Sequence, residues 1–214
     1  MFISGRGKQK TMAKFLKTGS KDTLDNLLGS RVRVKVLKFL FRNYPVDLTA
    51  GELSEKIQES YPATKQEIEA LTNICLAKRT KKAASIKYAL NPGFEFFEEL
   101  KALILKASPA EKNKMVSKIL KLGRIKLALV SGVFLNGSGS VHDNSAADLF
   151  IVGDDIDKNK LRKFLKALEA EVGREVKLSI MDKEEFDYRH GMFDRFVRVL
   201  LEGPHEKIIN KLGL

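Results

Sequence analysis

The sequence predicts an α+β protein in two parts: a helical first half that closes on a β-hairpin, and a second half of alternating strands and helices around a mixed sheet. Three observations lead there. Between residues 30 and 72, apolar residues recur at helical spacing in three short segments. From Ile74 to Leu90 the pattern becomes that of two strands around a basic turn. From Ile125 onwards, buried-strand runs alternate with amphipathic helical ones.

Each element has a local reason. Ser30 stands as a cap before Val32, Val36, Leu37 and Leu40, which share one helical face, and Pro45 ends that helix. Thr49 and Glu52 have capping-box spacing, Leu48 and Leu53 have hydrophobic-staple spacing, and Leu53 and Ile57 point to a core. Pro62 separates a third helix, in which Thr64 and Glu67 repeat the box and Ile68 and Leu71 form the buried stripe. Ile74–Arg79 reads as a strand with Cys75 buried on it, Thr80–Ala84 as a basic turn, and Ser85–Leu90 as the returning strand. After Asn91-Pro92-Gly93 a helix follows with Phe94, Phe97, Leu100, Leu103 and Ile104 in register. Ser108-Pro109-Ala110-Glu111 starts another, with Met115, Val116, Ile119 and Leu120 on one side and Gly123 as its end. Ile125–Val130 is a strand, and Ser145–Val152, after the polar stretch Ser138–Asn144, gives a second. Asp157 caps a helix that closes at Gly173. Val176–Ile180 is a third strand, and Asp182 and Glu185 open a last helical region through Arg198.

Composition narrows the function. The 214 residues are 43% hydrophobic, enough for a core, and carry 39 Lys+Arg against 27 Asp+Glu, a net charge of +12. No apolar run approaches a membrane span, no signal-peptide h-region is evident, and the single cysteine suits a reducing, cytoplasmic setting. Residues 1–107 hold a net +9 and residues 108–214 a net +3. The cations of the first half cluster at Arg6, Lys8, Lys10, Lys14, Lys17 and Lys21, at Arg31, Arg33, Lys35 and Lys38, and at Lys78, Arg79, Lys81 and Lys82. Such clusters point to a polyanion. The corresponding division is a basic arm over 1–22, a first domain over 23–92, a connecting helix over 93–107 and a second domain over 108–214.

Three helices followed by a basic hairpin resemble the winged helix–turn–helix of arsenic-repressor-like regulators, most closely over Lys65–Asn91. The resemblance implies binding of double-stranded DNA, with the third helix in the major groove and the hairpin near the backbone. The outward residues expected on the third helix are Lys65, Gln66, Glu69 and Asn73, and on the wing Arg79, Lys81 and Lys82. The connecting helix is the expected place for homodimer contacts.

The second half resembles the minimal nucleotidyltransferase domain, whose signature is a Gly-Ser turn, a second Gly, a strand bearing Asp-x-Asp and a further acidic residue. There the turn approaches phosphates and the carboxylates hold metal ions. Here Gly132 and Gly137 match the glycines, but Val133 replaces the Ser. Ala146 replaces the first acid, Asp148 keeps the second, and Lys177 stands in the region of the third. The resemblance therefore implies a domain without catalysis, metal or cofactor, in which Lys177 pairs with Asp148. Three other acids, Asp154, Asp155 and Asp157, are the alternative source of carboxylates. The Gly137–Ser140 stretch lacks the Gly-Lys-Ser/Thr of a phosphate loop, and His142, His190 and His205 lack metal-ligand spacing.

The resulting expectation is a transcription regulator that binds DNA through its winged helix and uses a transferase-like domain for interaction or sensing. A metal-dependent nucleotidyltransferase and a protein-binding scaffold are the alternatives.

Overall fold

The computed structural model describes residues 20–82, 85–106, 112–135 and 145–214, without the side chains of 20–22 and 82. The leading basic cluster, the start signal at 108–111, Gly137, His142 and the Lys82 side chain lie outside the described residues.

The chain is α+β with a mixed four-stranded sheet. The first half consists of α1 (Ser20–Leu28), α2 (Arg31–Arg42), α3 (Ala50–Ile57) and α4 (Tyr61–Asn73), then the antiparallel pair β1 (Ala77–Lys82) and β2 (Ser85–Leu90), then α5 (Phe97–Lys106). A bridge between Leu48 and Tyr88 ties the segment before α3 to the hairpin, through Leu48 N–H to the Tyr88 carbonyl at 3.0 Å and the reverse at 2.7 Å. One apolar core joins these elements, including Leu37, Leu40, Leu53, Ile57, Ile68, Leu76 and Ile104.

The second half contains α6 (Lys112–Ile119), β3 (Arg124–Val130), a single 3-10 turn over Gly132–Phe134, β4 (Leu149–Asp154), α7 (Lys158–Val172), β5 (Leu178–Met181), α8 (Lys183–Gly191), α9 (Arg195–Glu202) and β6 (Glu206–Asn210). The sheet order is β5-β4-β3-β6, with β4 and β5 parallel and the other two pairs antiparallel. Alternating side chains split its core in two. Ala128, Val130, Leu149 and Ile151 pack on one face with α6 and α7, while Leu129, Phe150 and Val152 pack on the other with Phe186, Val197 and Leu200.

Local signals hold where they are polar caps. Ser30 accepts the Arg33 N–H, Thr49 and Glu52 form the reciprocal capping box, and Asp157 and Asp182 cap α7 and α8. Gly173 ends α7 in the left-handed region at φ 84°, where a Cβ would fall 2.9 Å from the Lys38 carbonyl carbon and the Phe39 nitrogen. That close approach lets α7 pack on α2 and α3, and the two halves are in contact.

Several elements depart from the expectation. Pro62 lies in the first turn of α4, where its missing N–H costs nothing, so Thr64 is an interior, buried residue rather than a cap. Cys75 is exposed and left-handed (φ 64°). The Leu76 N–H bonds the Leu71 carbonyl and the Cys75 N–H that of Thr72, a Schellman end to α4. The first hairpin strand therefore begins only at Ala77 and runs through the basic residues to Lys82. Helix α6 stops at Ile119, and Gly123 packs against the Asp154 and Asp155 carbonyls instead of closing it. Phe94 precedes α5, and Leu103 and Leu120 face outward. The last helical region is two helices, and α1 and β6 lack any expectation in the sequence.

Candidate functional site

Two regions collect the residues singled out by the sequence. In the first, α4 and the hairpin meet at one end of the first half. Lys65, Gln66 and Asn73 are exposed on α4, and Glu69 lies beside them half-buried, 3.9 Å from Lys65. Lys78, Arg79 and Lys81 are exposed on β1 and make no ion pair among the described residues. Arg79 lies opposite Tyr88 in the ladder, and Lys81 opposite Ile86. The two elements converge on Tyr88. Burial raises the pKa of its phenol, and Glu69, Arg79, Lys65 and Tyr61 all act on it electrostatically. Glu67 is turned away from this face and pairs with Arg33 at 2.8 Å, so the outer surface of α4 is less acidic than its sequence implies.

The α2 cations form no such surface. Lys35 and Lys38 are buried at 8% and 2% exposure. The Lys35 ammonium bonds the Ile57 carbonyl at 3.1 Å and Glu59 at 2.6 Å. Arg33 also donates to the Leu28 carbonyl, and Arg31 lies 3.7 Å from Glu171. Several elements pack on this helix, so Arg33 and Lys35 are taken up by internal partners, while Arg31 at its start stays exposed. The second of the three basic clusters is therefore structural.

The second region surrounds Asp148 at the start of β4. Gly132 is left-handed (φ 54°) and opens the 3-10 turn, which aims the Val133 N–H at the Asp148 Oδ1 at 3.0 Å. The Lys177 N–H donates to Oδ2 at 2.8 Å, and Arg174 Nη2 lies 3.6 Å from Oδ1. Asp148 has 0% exposure. Its carboxylate cross-ties three segments and points at backbone amides rather than at a cleft. Val133 is buried in the core, and Ala146 is exposed with no polar group to offer. The Lys177 side chain reaches the Ser145 carbonyl at 3.4 Å; it is the backbone of Lys177, with the Arg174 guanidinium, that meets Asp148. Sequence reasoning missed Arg174, which has no motif of its own. It also missed Ser131, whose buried hydroxyl bonds the Ala147 carbonyl and lies 3.0 Å from that of Ser145.

The alternative carboxylates do not converge on this place. Asp154 is the last residue of β4 and Asp155 and Asp157 follow it, about 20 Å of extended chain from Asp148. Asp154 accepts the Lys183 N–H, Asp155 pairs with Arg124 at 2.6 Å, and Asp157 caps α7. The hydrogen bonds to Lys160 and Asn159 hold the Asp157 carboxyl below its ordinary pKa. His190 stacks on Phe186, and His205 meets the Gly203 carbonyl at 2.9 Å. Among the described residues no group of three His, Cys, Asp or Glu side chains could hold a metal ion, and no helix is long and apolar enough to cross a membrane. Comparison with family models, with curated proteins and with solved structures returned no match.

Proposed function

We propose that this protein binds double-stranded DNA as a transcription regulator, with α4 and the β1–β2 hairpin acting as the helix and wing of a winged helix. The observation that carries this reading is that exposed Lys65, Gln66 and Asn73 on α4 accompany exposed Lys78, Arg79 and Lys81 on β1, with Lys65 and Arg79 both acting on Tyr88. A helix of this size fits the major groove, where the amides of Gln66 and Asn73 read base edges. The exposed hairpin cations Lys78, Arg79 and Lys81 make no ion pair among the described residues, so their charge is available to backbone phosphates. In this reading the second half is an interaction or sensing module derived from a transferase-like fold. Supporting that, the buried Asp148 carboxylate accepts the Val133 and Lys177 N–H groups and lies 3.6 Å from Arg174.

The test is binding to a pool of genomic duplex fragments across a salt series. Retention of particular fragments at roughly physiological salt is the expected result. Absence of any complex with duplex DNA even at low salt contradicts the proposal.

A further inference from the structure

The two halves enclose a cleft of about 570 Å³, walled by α2 and α3 on one side and by α7 and the segment leading to β5 on the other. This volume falls in the range of small-molecule sites. Four cations line it: Lys56 from α3, Lys166 from α7, and Arg174 and Lys177 from the following segment. Lys56 and Lys166 make no ion pair among the described residues. Behind Arg174 stands a fifth cation, Arg42, the last residue of α2. Its Nε and Nη2 are buried and have no hydrogen-bond partner among the described residues. Burial, and then the neighbouring Arg174 charge, lower the Arg42 pKa to about 10. A buried guanidinium with unmet donors beside a second guanidinium is unfavourable unless an anion offsets it. Asp148 lies 3.6 Å from Arg174 and is not among the groups that act on Arg42.

We infer that this cleft binds the phosphate group of a small phosphate ester, held by Arg174, Lys56 and Lys166 with the uncompensated charge of Arg42 behind them. A guanidinium flanked by ammonium groups suits a compact dianion, because the fork gives direction and the lysines give charge. The cleft is too large for phosphate alone, which argues for an ester. Of the carboxylates in its wall, Glu169 is occupied by the Val176 N–H at 3.2 Å. Glu55 and Glu175 offer acceptors to the hydroxyl or amine groups of the rest of such a ligand. The site shares no lining residue with the α4–hairpin surface and is independent of the DNA-binding proposal.

Thermal melts and calorimetry of the full chain with AMP, inorganic phosphate and adenosine test this. AMP is expected to raise Tm and to bind more tightly than phosphate, and adenosine to have no effect. If phosphate matches AMP, the ligand is the free anion, and the ester assignment is overturned. The double variant K56Q/K166Q should weaken AMP binding roughly tenfold or more with an unchanged circular dichroism spectrum. Arg42→Met should raise Tm in the absence of ligand, because an unmet charge is removed, while weakening AMP binding. No Tm shift with millimolar AMP or phosphate, or AMP binding untouched by K56Q/K166Q, overturns the inference.

Discussion

Helix α2 and strand β1 carry similar cationic sequences, Arg31-Val-Arg33-Val-Lys35 and Lys78-Arg79-Thr-Lys81, yet the fold uses them in opposite ways. On α2, Arg33 and Lys35 meet Glu67, Glu59 and backbone carbonyls, and Arg31 alone of the three is exposed. On β1 they point outward and meet no carboxylate among the described residues. The difference lies in the element. A two-stranded hairpin has a whole face with nothing packed on it, whereas α2 is surrounded by α1, α3, α4, α5 and α7. A charge run in a sequence therefore gives its sign but not its destination. The Asp148 region makes the same point for acids: a carboxylate at a position that resembles a metal ligand is spent on two amides and a guanidinium.

This contrast can be broken experimentally, and the largest effect is expected at Asp148. Asp148→Ala removes the acceptor of the buried Val133 N–H and the part-buried Lys177 N–H and the carboxylate beside Arg174. It should lower the unfolding free energy by about 3–5 kcal/mol in a urea melt. A cost below about 1 kcal/mol would mean that the carboxylate is not structural. Next comes Lys35→Ala, which strands Glu59 and the Ile57 carbonyl and should cost about 1–3 kcal/mol by the same measurement. The matching change on the hairpin, Lys81→Ala, should fall within about 0.5 kcal/mol of wild type. Equal effects at Lys35 and Lys81 would erase the distinction between the two cationic segments.

A smaller effect concerns acid. The Thr49 amide, and then its hydroxyl, hold the Glu52 carboxyl below the usual carboxylate range. A folded pKa below the unfolded one stabilises the protein above the unfolded value, and the benefit disappears as pH falls through the folded value. Glu52→Gln should therefore flatten the loss of stability with falling pH in that window, read as Tm against pH. An acid limb identical to wild type would show that the capping box contributes nothing there.

What was legible in the sequence follows the range of the forces involved. Ser30, Thr49–Glu52 and Asp157–Gly173 were readable because a cap is a contact within one turn. Leu53, Ile57, Ile68 and Leu71 were readable because helical period and burial coincide. Strand β6 was not, since Glu206–Asn210 has little apolar signal and exists through its ladder with β3, some eighty residues earlier. The outward positions on α4 and β1 were expected from the resemblance to a winged helix, but the inward turn of Glu67 was not, because its cause is Arg33 on another helix. Arg174 escaped for the same reason. Its role depends on α7 delivering it beside both Asp148 and Arg42.

The measurement that tests the account most directly is the salt dependence of duplex DNA binding by wild type and by the double variant R79Q/K81Q. If these side chains lie against phosphates, the slope of log affinity against log salt should become shallower by about 2, at nearly unchanged stability. An unchanged slope, or a wild-type protein that binds no duplex at low salt, would contradict the assignment of α4 and the hairpin as the DNA surface.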